Sequence, residues 1–475
     1  METMEKPLPV GYRWRSSRSF IVFTVTVALF AETFLYGFLV PILSYMIEVR
    51  LGIDPSETQR YMTTLLSMHG FLGIVAAPII AHFADKTPNR KIPLLLALGG
   101  CFVGTGLVAS TLNVAALFVG RTMQAIAGCA AWVVGHAMLT DHIDADNLGK
   151  TLGLAMTFVT AGIISGPTVA GAMLELFGYW AAWSVPLVVL AVDIVARLIM
   201  LEPDRSSPAP AATHDETTGL LSDSSEGQPT QGDAASTSTS TTLTDASSPR
   251  HFYQIMLSDG RVLAGLANTL LMSSIFSGFE ATLPLHLRDV FHWGSLPTGM
   301  MFFCLQIPSF FLSAAAGWMR DRQGLRNPTA LGWFTLAPLL WLLGVPGDDK
   351  FPWASADTNG KPIFVTTMLG FGLFSMLVRG AGSLQVTWVV KEKQTKDPLI
   401  FGPHGGSSRA FSIVEMAFGT GSMIGPLIAG SLSETVGYYY STTVFAITCL
   451  ALSVVTYKLF DSKTAKPARP ADSSA

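Results

Sequence analysis

The sequence contains few charged residues. Asp, Glu, Lys and Arg make up 13% of the 475 residues, about half of the roughly 25% found in soluble domains. Hydrophobic residues make up 49%, and the mean hydropathy is +0.44. The net charge is −3, and no face or tail of the chain concentrates lysine and arginine. This excludes a nucleic-acid partner. Most of the chain is therefore expected to lie in a lipid bilayer.

Motifs for several chemistries are also missing. The four cysteines lie in apolar stretches and predict no disulfide framework. There is no Gly-x-x-x-x-Gly-Lys-Ser/Thr phosphate loop, which argues against an ATP-driven pump domain. There is no His/Cys cluster at metal-binding spacing. We expect no cofactor, no bound metal and no enzymatic activity, so the energy source is expected to be a gradient.

One motif, Gly-x-x-x-Gly-Pro-x-x-Ala-Gly, occurs twice in the sequence. The first copy contains Gly162, Gly166 and Pro167, and the second contains Gly421, Gly425 and Pro426. Small residues four apart let helices pack closely, and each proline frees a backbone carbonyl and permits a bend. The repeat predicts an internal duplication. Leucine at Gly166 or Gly425 is expected to block helix packing, whereas alanine is expected to be tolerated.

Apolar runs long enough to cross a bilayer predict twelve transmembrane helices. They lie near 19–45, 61–84, 93–111, 114–139, 150–172, 180–201, 262–286, 295–318, 328–345, 363–389, 408–432 and 438–460. The first is too long for a signal peptide. The fold class is an all-α integral membrane protein with a six-helix bundle in 1–202 and a second in 261–475.

The segment 203–260 separates the two predicted bundles. It contains the low-complexity run from Ala235 to Thr242 and cannot bury a core. It is predicted to be a flexible linker, with a phosphorylation platform as the alternative. Lys and Arg concentrate in both tails and in alternate loops, which predicts that the termini and the linker face the cytosol.

Two loops at matching positions combine an acid with cations. Asp85 is followed by Lys86, Arg90 and Lys91, and Asp321 lies between Arg320 and Arg322. A carboxylate at a helix C-terminus is disfavoured by the helix dipole and needs a cationic partner. The pair predicts a cytosolic gate between the halves. The alternative is that each is simply a positively charged cytosolic loop.

These motifs resemble those of the major facilitator superfamily. Asp85 to Lys91 resembles its signature between helices 2 and 3, and Gly120 to Gly128, which includes Arg121 and Gln124, resembles its helix 4 signature. Gly162 to Gly171 resembles the helix 5 signature of its drug and proton antiporters. The stretches around Glu32 and Glu415 are similar to helices 1 and 11 of the vesicular amine transporter branch, where the family has Asp, and to fungal exporters of small metabolites.

Deep ionisable residues are the candidates for proton coupling and substrate binding. The acids are Glu32, Glu280 and Glu415, and the cations are Arg121 and Arg379. Burial favours the neutral form of an acid, whereas a nearby cation favours the ionised form, so a site alternating between these surroundings can load and release protons. A static ion pair is the alternative for each. Asp193 and Arg197 are expected to form a local pair with a snorkelling arginine.

The leading hypothesis is a proton-coupled antiporter that exports a small amphipathic organic molecule. A facilitator that carries substrate down its own gradient and a membrane receptor for a metabolite are the alternatives. The expected partners are the substrate, protons and the bilayer, and the chain is expected to act as a monomer. The plasma membrane is the expected location, with vacuolar and vesicle membranes left open.

Overall fold

The computed structural model describes residues 11–86, 91–111, 113–142, 145–201, 249–356, 358–397, 400–401 and 407–460. All regular secondary structure in these ranges is helical. The first half contains α1 Tyr12–Arg15, α2 Arg18–Phe38, α3 Val40–Tyr45, a π-helical turn Met46–Arg50, α4 Pro55–Lys86, α5 Lys91–Ser110, α6 Val114–His142, α7 Ala145–Phe177 and α8 Tyr179–Ile199.

The second half repeats this plan. It contains α9 Pro249–Leu257, α10 Gly260–Phe291, α11 Ser295–Gln323, α12 Arg326–Gly344, a 3-10 turn Pro352–Ala354, α13 Gly360–Ser375, α14 Ala381–Lys396, α15 Ser407–Thr435 and α16 Tyr438–Leu459. Ten of the twelve predicted spans correspond to helices that are long and apolar enough to cross a membrane. The predicted linker 203–260 lies largely outside the described residues, which resume at 249. Its last part contains α9, on which Phe252 and Met256 are buried.

The two remaining predicted spans lie in the second half. The span 328–345 coincides with α12, a helix of 19 residues. The span 363–389 was predicted as one continuous helix, and this is wrong: a turn at 376–380 separates α13 from α14. Gly380 adopts a left-handed φ of 77° there, a conformation that glycine accepts without steric cost and that interrupts a helix.

The repeated motif packs against equivalent helices in the two halves. A Cβ on Gly162 of α7 would lie 2.7 Å from the Phe30 oxygen of α2 and would collide with the Thr33 hydroxyl. A Cβ on Gly421 of α15 would meet Leu270 and the Ser273 hydroxyl of α10 in the same way. Thr33 therefore corresponds to Ser273. One turn further along each helix, Tyr36 of α2 corresponds to Phe276 of α10.

Close helix contacts also lie beside Arg121 and Arg379. A Cβ on Gly104 of α5 would lie 2.9 Å from the Gly120 oxygen of α6. A Cβ on Gly332 of α12 would lie 2.6 Å from a methyl group of Val378. Arg121 and Arg379 follow Gly120 and Val378 in the sequence. The two arginines are not equivalent, because a Cβ on Gly135 of α6 would meet Val25 and Leu29 of α2, and one on Gly382 of α14 would meet the corresponding residues Gly265 and Thr269 of α10. Arg121 lies well before Gly135, whereas Arg379 lies one turn before Gly382.

The two halves pack together at one side of the molecule. We call the side where α2 begins and α16 ends the terminal side, and the other the opposite side. Near the opposite side, a Cβ on Gly171 would lie 2.8 Å from the Ser295 carbonyl carbon, and one on Gly430 would lie 3.0 Å from Thr63. Contacts between α7 and α11 and between α4 and α15 thus close the opposite side.

Candidate transport site

A hydrogen bond crosses the boundary between the halves. The Tyr36 hydroxyl of α2 donates to Glu280 Oε2 of α10 at 2.6 Å. The ring of His69 from α4 lies 4.9 Å from the Tyr36 ring, and His69 Nδ1 has no hydrogen-bond partner in the described part of the chain. We call Glu32, Tyr36, His69, Arg121 and Glu280 the boundary cluster.

Arg121 is the cation of the boundary cluster and is 1% exposed. Its Nη1 donates to Gln124 Oε1 at 3.1 Å, and Gln124 Nε2 donates to Thr105 Oγ1 at 2.9 Å. The guanidinium carbon lies 5.7 Å from the centre of the Tyr36 ring. Arg121 Nε and Nη2 have no hydrogen-bond partner among the described atoms. Two buried donors thus remain available to an acceptor, which buried polar groups normally have.

The boundary cluster brings together acids from both halves. Arg121 interacts electrostatically with Glu32 of α2 and with Glu280 of α10. The Glu32 carboxylate lies directly against Gly128 of α6, where any side chain would collide with it. The structure therefore unites four of the predicted site residues: Glu32, Arg121, Gln124 and Glu280.

Glu415 lies on α15, one turn before Gly419, where a Cβ would meet Ile74 of α4. It is half-buried, and no cation forms an ion pair with it among the described residues. Cys129 of α6 interacts electrostatically with both Glu32 and Glu415. Glu415 belongs to the second half and Glu32 to the first, and neither Glu415 nor Arg379 forms an ion pair among the described residues.

Arg379 lines a separate cavity of about 350 Å³ that lies towards the terminal side. Residues of α7, α11 and the turn 376–380 form its walls. Arg379 Nη2 donates to Gln306 Oε1 at 2.9 Å, and the guanidinium carbon lies 4.6 Å from the centre of the Phe276 ring. This cavity holds one predicted site residue, Arg379, and joins the two halves.

The predicted gate is only partly described. Arg90 and the side chains of Asp85 and Asp321 lie outside the described residues. The Arg322 guanidinium carbon lies 4.4 Å from the Trp318 ring centre, and this side chain is exposed. The gate therefore stays a prediction.

The repeated prolines lie inside continuous helices. Pro167 is part of α7 and Pro426 of α15. A Cβ on Gly37 would lie 2.9 Å from Pro167 Cδ, so this proline packs directly on α2. The first two glycines of each motif thus serve the contact between neighbouring helices of one half, whereas the last glycine, Gly171 or Gly430, contacts the other half.

Sequence reasoning missed one pair near the opposite side. Arg288 of α10 forms a 2.5 Å ion pair with Glu48 of the first half, which also accepts a 2.7 Å hydrogen bond from Thr58. Arg288 is not one of the predicted site residues. Its position at the end of the seventh span, with an acid at the matching end of the first, was the available signal.

The local pair of Asp193 and Arg197 is present, with Nε and Oδ1 3.5 Å apart. Both side chains are fully buried, so the expectation of a snorkelling arginine is wrong. The helix directs the pair towards its neighbours in the first half, where burial costs less for a paired charge than for a single one.

Two matching six-helix halves with a polar cluster at their boundary define a secondary transporter, a class that is not enzymatic. The chain belongs to the Major Facilitator Superfamily, whose family model matches residues 25–389. An uncharacterised MFS-type transporter of Schizosaccharomyces pombe is 30% identical over 457 residues, which cover 96% of this chain and 99% of that protein.

Other similar proteins include transporters with more specific names. The MFS-type transporter ppzB of Metarhizium rileyi is 27% identical over 94% of this chain and 96% of its own length. A probable vesicular acetylcholine transporter of Danio rerio is 27% identical, over 39% of this chain and 37% of its own.

Solved structures confirm the fold. The nucleoside transporter NupG superposes with a TM-score of 0.65 at 14% identity, covering 93% of this chain and all of that one. A bacterial homologue of the human lysosomal transporter Spinster, inward-facing and unoccupied, gives a TM-score of 0.64 at 12% identity over 93% and 97% of the two chains.

Proposed function

We propose that this protein is a proton-coupled antiporter that exports a small organic molecule. The observation that carries the proposal is the boundary cluster: Glu280 of one half is bonded to Tyr36 of the other and shares the electrostatic influence of Arg121 with Glu32. When α2 and α10 separate, these carboxylates exchange protein partners for water. Their affinity for protons changes with that exchange.

The coupling follows from the cost of an ionised acid in the membrane. An unpaired charge near the bilayer centre costs on the order of 2.5 to 3.5 kcal/mol on insertion scales. A cycle in which the acids release protons on one side and bind them on the other avoids this cost. Glu415, without a cation partner among the described residues, is a third proton acceptor on the facing wall.

The direction of transport rests on the positive charges of the loops. Lys and Arg concentrate at the terminal side, which we propose is cytosolic, with both termini and the linker there. A cavity towards that side would receive substrate from the cytosol. We propose that the protein acts as a monomer in the plasma membrane, and its similarity to ppzB of Metarhizium rileyi supports a transport role in a fungal context.

The test has two stages. An untargeted metabolite comparison of cells with and without the protein selects compounds whose cellular content depends on it. These compounds, with acetylcholine added because of the vesicular relatives, are then offered to proteoliposomes that contain the purified protein and a trapped pH-sensitive dye. Substrate-dependent proton movement in the opposite direction supports antiport. Substrate flux without proton movement would show a facilitator, and binding without either flux would show a receptor.

Variants of the three acids assign the coupling. Glu32→Gln, Glu280→Gln and Glu415→Gln keep the size of each side chain but cannot ionise at neutral pH, so pH-driven uptake is expected to be lost in the first two and strongly reduced in the third. Glu57→Gln, which changes an exposed acid, is the matched control and should transport like wild type. Full pH-driven transport in all three variants would overturn the assignment.

A further inference from the structure

Arg121 and Arg379, one in each half, lie in similar surroundings. Each donates to the amide oxygen of a glutamine, Gln124 for the first and Gln306 for the second. Each lies over an equivalent aromatic ring, that of Tyr36 or of Phe276. Neither forms an ion pair with a carboxylate in the described part of the chain. Each half thus holds a guanidinium over the corresponding ring, supplied from a different position of the helix.

The two arginines differ in what balances their charge. Arg121 interacts electrostatically with Glu32 and Glu280. No carboxylate among the described residues exerts a comparable influence on Arg379, whose described polar partner is an uncharged amide. A guanidinium cannot release its proton in proteins, and a charge removed from bulk water needs a partner. Arg379 is half-buried and lines the cavity, so an anion bound there would supply the counter-charge that the described residues do not.

Hydrogen bonds fix the backbone around Arg379. Arg379 lies in the turn 376–380 that interrupts a predicted span. Arg320 Nη2 donates to the carbonyl oxygens of Met376 at 2.6 Å and of Arg379 at 2.8 Å, so the turn is tied to α11. Non-helical backbone at membrane depth is tolerated where it lines a cavity or is buried in protein, and broken helices form the substrate sites of many transporters.

The cavity beside Arg379 has the character of an anion site. Its described lining includes Arg320 and Arg379 and no acidic residue. Both polar and apolar side chains line the cavity. Met156, Phe310 and Met376 supply the apolar part. A volume of about 350 Å³ lies in the range of small-molecule pockets. Positive charge beside apolar side chains suits an amphipathic anion.

We propose that this cavity binds the anionic group of an organic substrate, a carboxylate or a phosphate, through Arg379. The inference deepens the proposed function, since it names the chemical class of the substrate. In this proposal the two arginines have different roles. Arg121 balances the acids that exchange protons, and Arg379 binds the substrate anion.

The experiment measures binding at equilibrium, without a gradient. The protein is placed in nanodiscs of phosphatidylcholine, which carries no net charge, and its thermal unfolding is followed with benzoate, benzyl phosphate, benzylamine or benzyl alcohol. These four probes share one ring and differ in charge. The two anions are expected to raise the unfolding temperature and the other two are not. Equal stabilisation by benzylamine or benzyl alcohol would overturn the proposal.

Variants locate the site. Arg379→Gln is expected to weaken binding of the anions about tenfold or more, as loss of a charge-assisted hydrogen bond predicts. Arg379→Lys keeps the charge but not the planar fork and should give an intermediate affinity. Arg60→Gln, at an exposed position on α4, should bind like wild type. Unchanged anion affinity in Arg379→Gln would overturn the proposal.

The probe series stays decisive even if Arg379→Gln does not fold, because it compares ligands on the wild-type protein. A response to anionic phosphatidylglycerol in the nanodisc, without any response to the free anions, would also count against the proposal. Anion binding that depends on Arg379 but moves no protons in proteoliposomes would refute antiport and leave this inference standing. Proton-coupled export of a cation would do the reverse.

Discussion

The Tyr36 hydroxyl and the Glu280 carboxylate form a 2.6 Å hydrogen bond between the two halves of the protein. Tyr36 corresponds to Phe276 in the duplicated plan, so the second half has no hydroxyl at the equivalent place. The bond therefore has no counterpart in the duplicated plan. It forms where the opposite side is closed, and separation of α2 from α10 must break it.

Replacement of Tyr36 by phenylalanine is expected to impair coupling. The ring contact with His69 is kept, but Glu280 loses its hydrogen-bond donor, which is worth about 1.5 to 3 kcal/mol for a charged acceptor. Proton-coupled transport by Tyr36→Phe should fall roughly tenfold. The measurement is substrate-dependent proton flux in proteoliposomes.

A matched change tests whether loss of any tyrosine hydroxyl has this effect. Tyr45 stacks on Tyr179 with ring centres 5.9 Å apart, and its hydroxyl has no hydrogen bond in the described structure. Tyr45→Phe should transport like wild type. Equal loss in the two variants would argue against a specific role for the bond to Glu280.

The pair of Glu48 and Arg288 is expected to hold the opposite side closed. Arg288→Gln removes a partly exposed ion pair between the halves, for which about 1 kcal/mol is a typical value. The population with the opposite side open should then rise roughly fivefold. Spin labels at the exposed positions Glu57 and Glu434 would report the change as longer distances.

Asp289 provides the control for the preceding variant. Its carboxylate bonds Arg288 Nε at 2.9 Å within the same half. Asp289→Asn removes this local bond and leaves the bond to Glu48 in place, so the distance distribution should match that of wild type. A similar shift in Asp289→Asn and Arg288→Gln would assign the effect to the local geometry of Arg288 and not to closure.

Most of the fold could be predicted from the sequence because hydropathy and the repeated motif are both visible within short stretches of the chain. The repeat between Gly162 and Gly421 marks the helix that packs on α2 or on α10, and the structure reproduces this in both halves. The interruption of the span 363–389 could not be predicted. Arg320, distant in the sequence, supplies the donors that satisfy the carbonyl oxygens of the turn.

The sequence could indicate the candidate site residues but not which of them lie together. Deep acids and cations stand out in an apolar sequence, and Glu32, Arg121 and Glu280 do lie together. Which acid meets which cation depends on the rotation of each helix about its axis, and an all-round apolar helix gives no sign of that rotation. For this reason the sequence could not show that Glu415 and Arg379 lie apart.

Two carboxylates at the terminal side should make stability depend on pH. Burial raises the pKa of Asp259, but hydrogen bonds from Arg261 and Lys393 outweigh it, and the pKa lies below its ordinary value. Hydrogen bonds from Lys396 and Arg261 lower the pKa of Glu392. Groups with a depressed folded pKa stabilise the protein above their unfolded pKa near 4 and lose this effect as the pH falls.

Asp259→Asn isolates the charge, because asparagine caps the start of α10 as well as aspartate does. The variant is expected to lose about 1 kcal/mol or less at pH 7, and its unfolding temperature should decline less than that of wild type between pH 5 and pH 3. Glu434→Gln, an exposed acid without a described partner, should follow wild type. Parallel curves for Asp259→Asn and wild type would contradict the prediction.

The glycines of the repeated motif are expected to tolerate no side chain, which corrects the expectation that alanine would be accepted. A Cβ on Gly166 would lie 2.5 Å from the Phe34 oxygen, and one on Gly425 would lie 2.7 Å from Ser274 Cα. Both obstacles are backbone atoms and cannot rotate away, so alanine forces α7 from α2 or α15 from α10. Destabilisation by overpacking is typically 1 to 3 kcal/mol.

Gly166→Ala and Gly425→Ala should therefore reduce transport sharply and lower the unfolding temperature, and leucine should do so more severely. Gly73 of α4 and Gly100 of α5 have open space where a Cβ would lie. Alanine at these two positions should leave transport unchanged, since the added methyl group meets nothing. Because both kinds of glycine lie in membrane helices, the comparison separates close helix contact from the general effect of glycine on helix stability. Activity retained in both Gly166→Ala and Gly425→Ala would mean that the two helix pairs can separate without loss of function.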